Sequence, residues 1–112
     1  MPFINVKTNA SVSKEQCDKI KSALGQAITA LPGKSESWLM VGIEPDSILY
    51  FKGSDAPAAM VQVQTYGTNA SGTDALTGKI STILNAELGL SPDRIYVSYF
   101  GTSNWGWNGG NF

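Results

Sequence analysis

The feature that most constrains the fold is the order strand, helix, strand, which occurs twice along the 112 residues. Apolar residues at steps of three and four predict the two helices, with stripes at Cys17, Ile20, Leu24, Ile28 and Leu31 and at Leu76, Ile80, Ile83, Leu84 and Leu88. Residues rich in β-branched and aromatic side chains predict strands over 3–6, 38–43 and 48–51 in the first half and over 60–66 and 95–100 in the second.

The ends of both helices carry recognisable signals. Ser13 and Gln16 are spaced as a capping box at the start of the first helix, and a Pro-Gly pair at 32–33 ends it. Ser71 or Thr73 is expected to cap the second helix, and Gly89 to close it.

Two β-α-β units place two helices on one face of a single four-stranded sheet. We therefore predict an α+β fold with duplicated β-α-β units, in one domain over 1–112 with halves of about 1–55 and 56–112. In the last strand, Tyr96, Ser98 and Phe100 alternate with a core-facing set and point to the other face. That second face is too aromatic for plain water and suits a symmetric oligomer.

Composition excludes several classes of function. The net charge is −1 and the eight basic residues are scattered, so we expect neither nucleic-acid binding nor an anionic membrane partner. No apolar run approaches the ~18–20 residues that span a bilayer, and the start lacks a signal-peptide pattern, so we expect a cytoplasmic protein, with leaderless secretion as its route outside. Without histidine and with Cys17 as the only cysteine, we predict no metal site, no cofactor and no disulfide.

Pro2, directly behind the initiator methionine, is the candidate for chemistry at neutral pH. Removal of Met1 would convert the Pro2 nitrogen into a free secondary amine. An α-amino group titrates near ~7.7–8.0, so its neutral form can accept a proton at physiological pH.

Motifs in matching order along the whole chain resemble the macrophage migration inhibitory factor family. They are PFINVKTN at 2–9, GK at 33–34, EPD at 44–46, FKGS at 51–54, SPDRIYV at 91–97 and WGWNGGNF at 105–112. The resemblance implies a homotrimer of duplicated β-α-β units with active sites between neighbouring subunits. It also implies a keto–enol tautomerase acting on phenylpyruvate-type α-keto acids, with dopachrome as a further substrate.

The resemblance assigns roles to individual residues. Pro2 matches the catalytic base, and Lys34 matches the residue that receives the substrate carboxylate. The other positions matched to the substrate site are Trp38, Tyr66 (where isoleucine is common), Tyr96 and Ser98 from the neighbouring subunit, Trp105, and the apolar wall of Trp107 and Phe112.

Departures from the family limit what the resemblance implies. Ser98 stands where asparagine is common, and Trp105 where a smaller aliphatic residue is common. Residues 58–61 read Ala-Ala-Met-Val where some members carry Cys-x-x-Cys, so thiol oxidoreductase activity is not implied.

Two other classes of function stay open at this stage. One is a secreted cytokine-like or host-modulating protein that binds a receptor and keeps only a vestigial Pro2 site. The other is a trimeric binding module without catalysis. A free amino-terminal proline together with Lys34 favours the enzyme, since a binding surface alone does not need that amine.

Overall fold

The computed structural model describes all residues from Met1 to Phe112. The strands are β1 (Pro2–Thr8), β2 (Met40–Glu44), β3 (Ala59–Tyr66), β4 (Ile95–Thr102), β5 (Gly106–Trp107) and β6 (Gly110–Asn111), and the helices are α1 (Lys14–Ala27) and α2 (Thr73–Leu88). Single 3₁₀ turns cover Ile28–Ala30, Glu36–Trp38 and Pro92–Arg94. None of the helices has the length and apolar character needed to cross a membrane.

The main sheet has four strands in the order β2-β1-β3-β4. The outer pairs β1–β2 and β3–β4 are parallel, and the central pair β1–β3 is antiparallel. Each parallel pair is joined through one helix, as a crossover connection requires. The predicted α+β fold, with a four-stranded sheet and two helices, is confirmed.

One face of the sheet and both helices form the core. Alternate β1 and β3 residues, including Ile4 and Val63, are fully buried against the apolar stripes of α1 and α2. Tyr99 of β4 ties the sheet to α2, because its hydroxyl donates to the Thr73 carbonyl (2.9 Å) and pairs with the Thr77 hydroxyl (2.7 Å). Burial of large aliphatic side chains on one face accounts for the stability of this arrangement.

Two of the four predicted helix signals are confirmed, and α1 ends earlier than the Pro-Gly pair at 32–33 predicts, because it stops at Ala27 and a 3₁₀ turn follows over Ile28–Ala30. Ser13 and Gln16 form a complete capping box, and Gly89 closes α2 in the left-handed conformation. The prediction that Ser71 or Thr73 caps α2 is wrong, because Gly72 occupies the cap position at a φ of 84° and no side chain caps it. A Cβ at Gly72 would clash with the Ala30 carbonyl oxygen, so this turn needs glycine.

The predicted strand over 48–51 is wrong, because it has no partner strand within the chain. Only Phe51 pairs, in a single antiparallel bridge to Ser54 across a tight turn. Lys52 and Gly53 in that turn have φ values of 53° and 72°, as in a type I′ turn. The predicted strand 38–43 begins two residues later, since Trp38 lies in a 3₁₀ turn and β2 starts at Met40.

The other face of the sheet is not covered within the chain. Its side chains form three rows across the strands in register: Met40, Phe3, Gln64 and Phe100; Gly42, Asn5, Gln62 and Ser98; and Glu44, Lys7, Met60 and Tyr96. Tyr96 and Phe100 are more than half exposed, as predicted for this face. We refer to this surface as the open face.

Candidate active site

Pro2 and Lys34 lie at the same end of the sheet, where β1 starts and β3 ends. Pro2 is buried and pairs with Thr65 of β3. The amide of Tyr66 donates to the Met1 carbonyl (3.0 Å), and the Lys34 ammonium donates to the Tyr66 carbonyl (2.9 Å). Lys34 is therefore anchored beside the chain terminus by one of its three N–H groups.

The amino terminus has an unusual environment for an amine. Partial burial, followed by the nearby positive charge and hydrogen bond of Lys34, lowers the pKa of the Met1 amino group below its ordinary value. All three causes disfavour the protonated form. An amine at this end of β1 is therefore more often neutral at pH 7 than a free amino terminus in water.

Aromatic side chains form a wall next to this terminus. The Trp38 and Trp107 rings meet edge to face at 5.2 Å, and Tyr66 and Phe112 lie 5.4 Å apart. Trp107 and Phe112 are parallel, with their centroids 6.5 Å apart. Trp38, Trp107 and Phe112 are each about half exposed, so the wall offers an apolar surface to a flat ring.

A C-terminal hairpin holds this wall in place. Strands β5 and β6 pair across Asn108 and Gly109, the most favoured sequence for a two-residue turn. Trp105 is partly buried, and its carbonyl accepts the Phe112 amide at 3.0 Å. Trp105 thus fixes the chain end through its backbone. Sequence reasoning placed these residues at the site without predicting the two short strands.

Tyr96 and Ser98 lie far from Pro2 in the same chain. Tyr96 pairs with Met60 of β3, whereas Pro2 pairs with Thr65, five residues further along. At about 3.3 Å per residue along the strand and ~4.8 Å between strands, the Tyr96 and Pro2 backbones are roughly 19 Å apart. A tyrosine side chain does not span that gap, so one chain does not bring Tyr96 to Pro2.

The Ser98 hydroxyl is a distinctive polar group of the open face. Its oxygen is buried and has no hydrogen-bond partner within the chain. An unpaired buried hydroxyl is costly, and most such groups find a partner in water or another molecule. Ser98 pairs with Gln62 in the middle, polar row of that face.

Sequence reasoning missed three residues, Phe51, Asn9 and Arg94, that pack against Tyr96 or fix the backbone of the segment before β3. Phe51 packs on Tyr96 at 4.6 Å between ring centroids, and both border a small cavity of about 240 Å³ with seven hydrophobic lining residues. Asn9 and Arg94 bind backbone groups of the segment before β3. No local pattern reveals these partners, since they lie about 40 residues away in the sequence.

Two further observations bear on where a site can lie. The largest groove, about 930 Å³ and wide open, lies between α1 and α2 and is lined by residues of those two helices alone. No group of three or more cysteine, aspartate and glutamate side chains is arranged to hold a metal ion. The convergence of an amine, a cation and an aromatic wall therefore makes the Pro2 end the candidate site.

Comparison with known proteins identifies the family of the chain. Residues 1–112 match the family model for macrophage migration inhibitory factor. The macrophage migration inhibitory factor of Meriones unguiculatus is 32% identical over 115 residues, covering 100% of this chain and 99% of that protein. The Mus musculus protein is 30% identical over 118 residues, with the same coverage. The crystal structure of Leishmania major MIF2 has 34% identity and a TM-score of 0.94, covering 100% of this chain and 97% of that one. The chain belongs to the macrophage migration inhibitory factor family.

Proposed function

We propose that this protein is a keto–enol tautomerase of phenylpyruvate-type α-keto acids, with Pro2 as the general base after removal of Met1. The observation that carries the proposal is the amino terminus at the start of β1, where burial and Lys34 lower the pKa of the amine. The Pro2 nitrogen belongs to the same end of β1, where Pro2 pairs with Thr65 of β3.

The reaction needs a base and a positive charge close together. Neutral Pro2 removes a proton from C3 of the α-keto acid, and the electrons move into the carbonyl to give an enolate. The protonated proline then returns the proton to the enolate oxygen, which gives the enol, and the reverse sequence regenerates the keto form. Proton transfer of this kind is efficient when the pKa of the base lies near the working pH.

Lys34 serves the other end of the substrate. Its ammonium is held by the Tyr66 carbonyl, and removal of Met1 would leave its other N–H groups to bind the carboxylate. The same charge stabilises the enolate that forms next to the carboxylate. The aromatic wall, with Trp38, Trp107 and Phe112, would receive the phenyl ring.

The complete site requires a neighbouring copy of the chain. We propose a homotrimer in which Tyr96 and Ser98 of one subunit face Pro2 of the next. Three observations support it: the separation of Tyr96 from Pro2 in one chain, the uncovered aromatic residues of the open face, and the unpaired Ser98 hydroxyl. A neighbouring subunit would cover the aromatic residues of the open face and offer a hydrogen-bond partner to the Ser98 hydroxyl.

Intact mass combined with a phenylpyruvate ketonisation assay tests the proposal. The processed chain should lack Met1 and turn over phenylpyruvate, whereas a chain with one residue added before Pro2 should be inactive because its proline nitrogen is an amide. Pro2→Gly should fold and lose most turnover, since its primary amine is more mobile. Equal turnover by wild type and the extended chain would refute Pro2 as the base, and a processed but inactive wild type would favour a binding role.

A further inference from the structure

We propose that Phe51 is a positioning residue that orients Tyr96 for the neighbouring subunit's site, with Arg94 holding Phe51 in place. The inference rests on the proposed function and deepens it, because it names what sets the geometry of the half-site supplied in trans. It concerns residues that do not touch the substrate themselves.

Arg94 is bound on every side of its guanidinium. Its N–H groups donate to the carbonyls of Phe51 (2.8 Å), Ser54 (3.1 Å), Ala56 (2.8 Å) and Pro57 (3.4 Å). The guanidinium carbon also lies 5.1 Å from the centroid of the Phe51 ring. Four carbonyls fixed by one planar group leave the segment 51–57 little freedom, because the fork of arginine is rigid.

The turn that follows Phe51 fixes its backbone. Phe51 and Ser54 exchange both amide–carbonyl bonds, at 2.9 and 3.1 Å, around the left-handed Lys52 and Gly53. With its carbonyl also bound to Arg94, Phe51 has a defined backbone position and a ring stacked against a cation. The side chain is therefore a firm surface for another ring to lie on.

Within its own chain, Tyr96 is mostly exposed, so few groups of that chain restrain its side chain. Tyr96 is 59% exposed on the open face of its own chain. The Phe51 ring packs on it at 4.6 Å with a tilt of 47°. A tyrosine without this contact would sample about three χ1 wells, so Phe51 selects the direction in which Tyr96 projects.

A double-mutant cycle on kcat/KM for phenylpyruvate tests the inference. Phe51→Leu keeps apolar volume but removes the ring, and we expect kcat/KM to fall about three- to tenfold, mainly through KM. Phe51→Tyr keeps the ring and should restore activity to near wild type. In a Tyr96→Ala background, Phe51→Leu should cost less than about two-fold, because the residue it acts on is gone.

Lys52→Asn is the matched control. Lys52 also lies near the Phe51 ring, at 5.5 Å, but it donates no bond to the segment, and asparagine tolerates its positive φ. We expect unchanged kinetics. A loss equal to that of Phe51→Leu would mean that charge near the ring, and not the ring, matters, and would overturn the proposal.

A readout independent of activity uses protein labelled with 3-fluorotyrosine. The ¹⁹F resonance of Tyr96, assigned with Tyr96→Phe, should move in Phe51→Leu and in Arg94→Lys, which keeps the charge but loses the fork. An unmoved resonance would overturn the inference. So would equal losses from Phe51→Leu in the wild-type and Tyr96→Ala backgrounds. A wild type without turnover would instead refute the proposed function, and the catalytic part of the inference with it.

Discussion

Activity should rise when two variants of low activity are mixed, provided that each supplies a different half of the site. Pro2→Gly chains lack the base but keep Tyr96, and Tyr96→Ala chains lack the tyrosine but keep Pro2. Since the two residues lie roughly 19 Å apart within one chain, neither can complete its own site. In a mixed ring, a site between a Tyr96→Ala chain and a Pro2→Gly neighbour has both groups.

The size of the recovery follows from random assembly. In a 1:1 mixture, half of the chains carry Pro2, and half of their neighbours carry Tyr96, so about one quarter of all sites are intact in any closed ring with one site per interface. Turnover per chain should therefore reach about one quarter of wild type, with the KM of wild type at those sites.

The assay unfolds the two variants together, refolds them, and measures phenylpyruvate ketonisation against separately refolded chains. The matched control pairs Pro2→Gly with Lys34→Ala. Lys34 lies beside the amino terminus of its own chain, so no interface in that mixture contains both groups. We expect the control mixture to show no gain over its components.

Two results would refute this reasoning. No recovery in the Pro2→Gly and Tyr96→Ala mixture, despite exchange of subunits shown by mass, would mean that Tyr96 is not part of a neighbour's site. Recovery in the Pro2→Gly and Lys34→Ala mixture would mean that Lys34 also acts across the interface.

The remaining predictions concern single residues. Lys34→Ala should weaken substrate binding by about 1.5–3 kcal/mol, the range for a hydrogen bond to a charged group, and KM should rise accordingly. An unchanged KM would show that another group receives the carboxylate. Lys34→Met removes a cation that lowers the pKa of the terminal amine, so the rise of kcat/KM with pH should move to higher pH, as a pH–rate profile will test. Wild type should prefer phenylpyruvate over its para-hydroxy analogue by ~0.5–1.5 kcal/mol, and Ser98→Asn should reduce that preference; identical kcat/KM ratios in the two proteins would exclude Ser98 as its source. Thr8→Val should destabilise the fold by about 1–3 kcal/mol in urea unfolding, because the buried Thr8 hydroxyl donates to the Ala58 carbonyl (2.7 Å) and accepts the Ala10 amide (3.1 Å); an unchanged midpoint would show that water replaces it.

The sequence predicts those parts of the fold that depend on nearby residues. The capping box of Ser13 and Gln16 involves one turn of chain, and the alternation in β4 reflects the two faces of a strand. Both are visible without knowledge of the rest of the molecule. The candidate residues around Pro2 came from the family resemblance instead, because their contacts join distant segments.

The wrong predictions depend on partners that no local pattern reveals. Residues 48–51 have the composition of a strand, but a strand also needs a hydrogen-bonded neighbour, and this segment has none within the chain. Ser71 is a good capping residue, but the close approach of the Ala30 carbonyl requires glycine at position 72. Arg94 could not be identified as the anchor of 51–57, since its acceptors are all backbone carbonyls.

The arrangement of the four main strands also determines how quickly the chain can reach its native state. No two neighbouring strands of that sheet are joined by a hairpin, and the nearest paired residues, in β3 and β4, are roughly 36 positions apart in sequence, so every ladder requires a long loop to close. The helices, which need only local contacts, should form before any of these ladders. Folding is therefore expected in the range of milliseconds to seconds, with α1 and α2 present before the sheet.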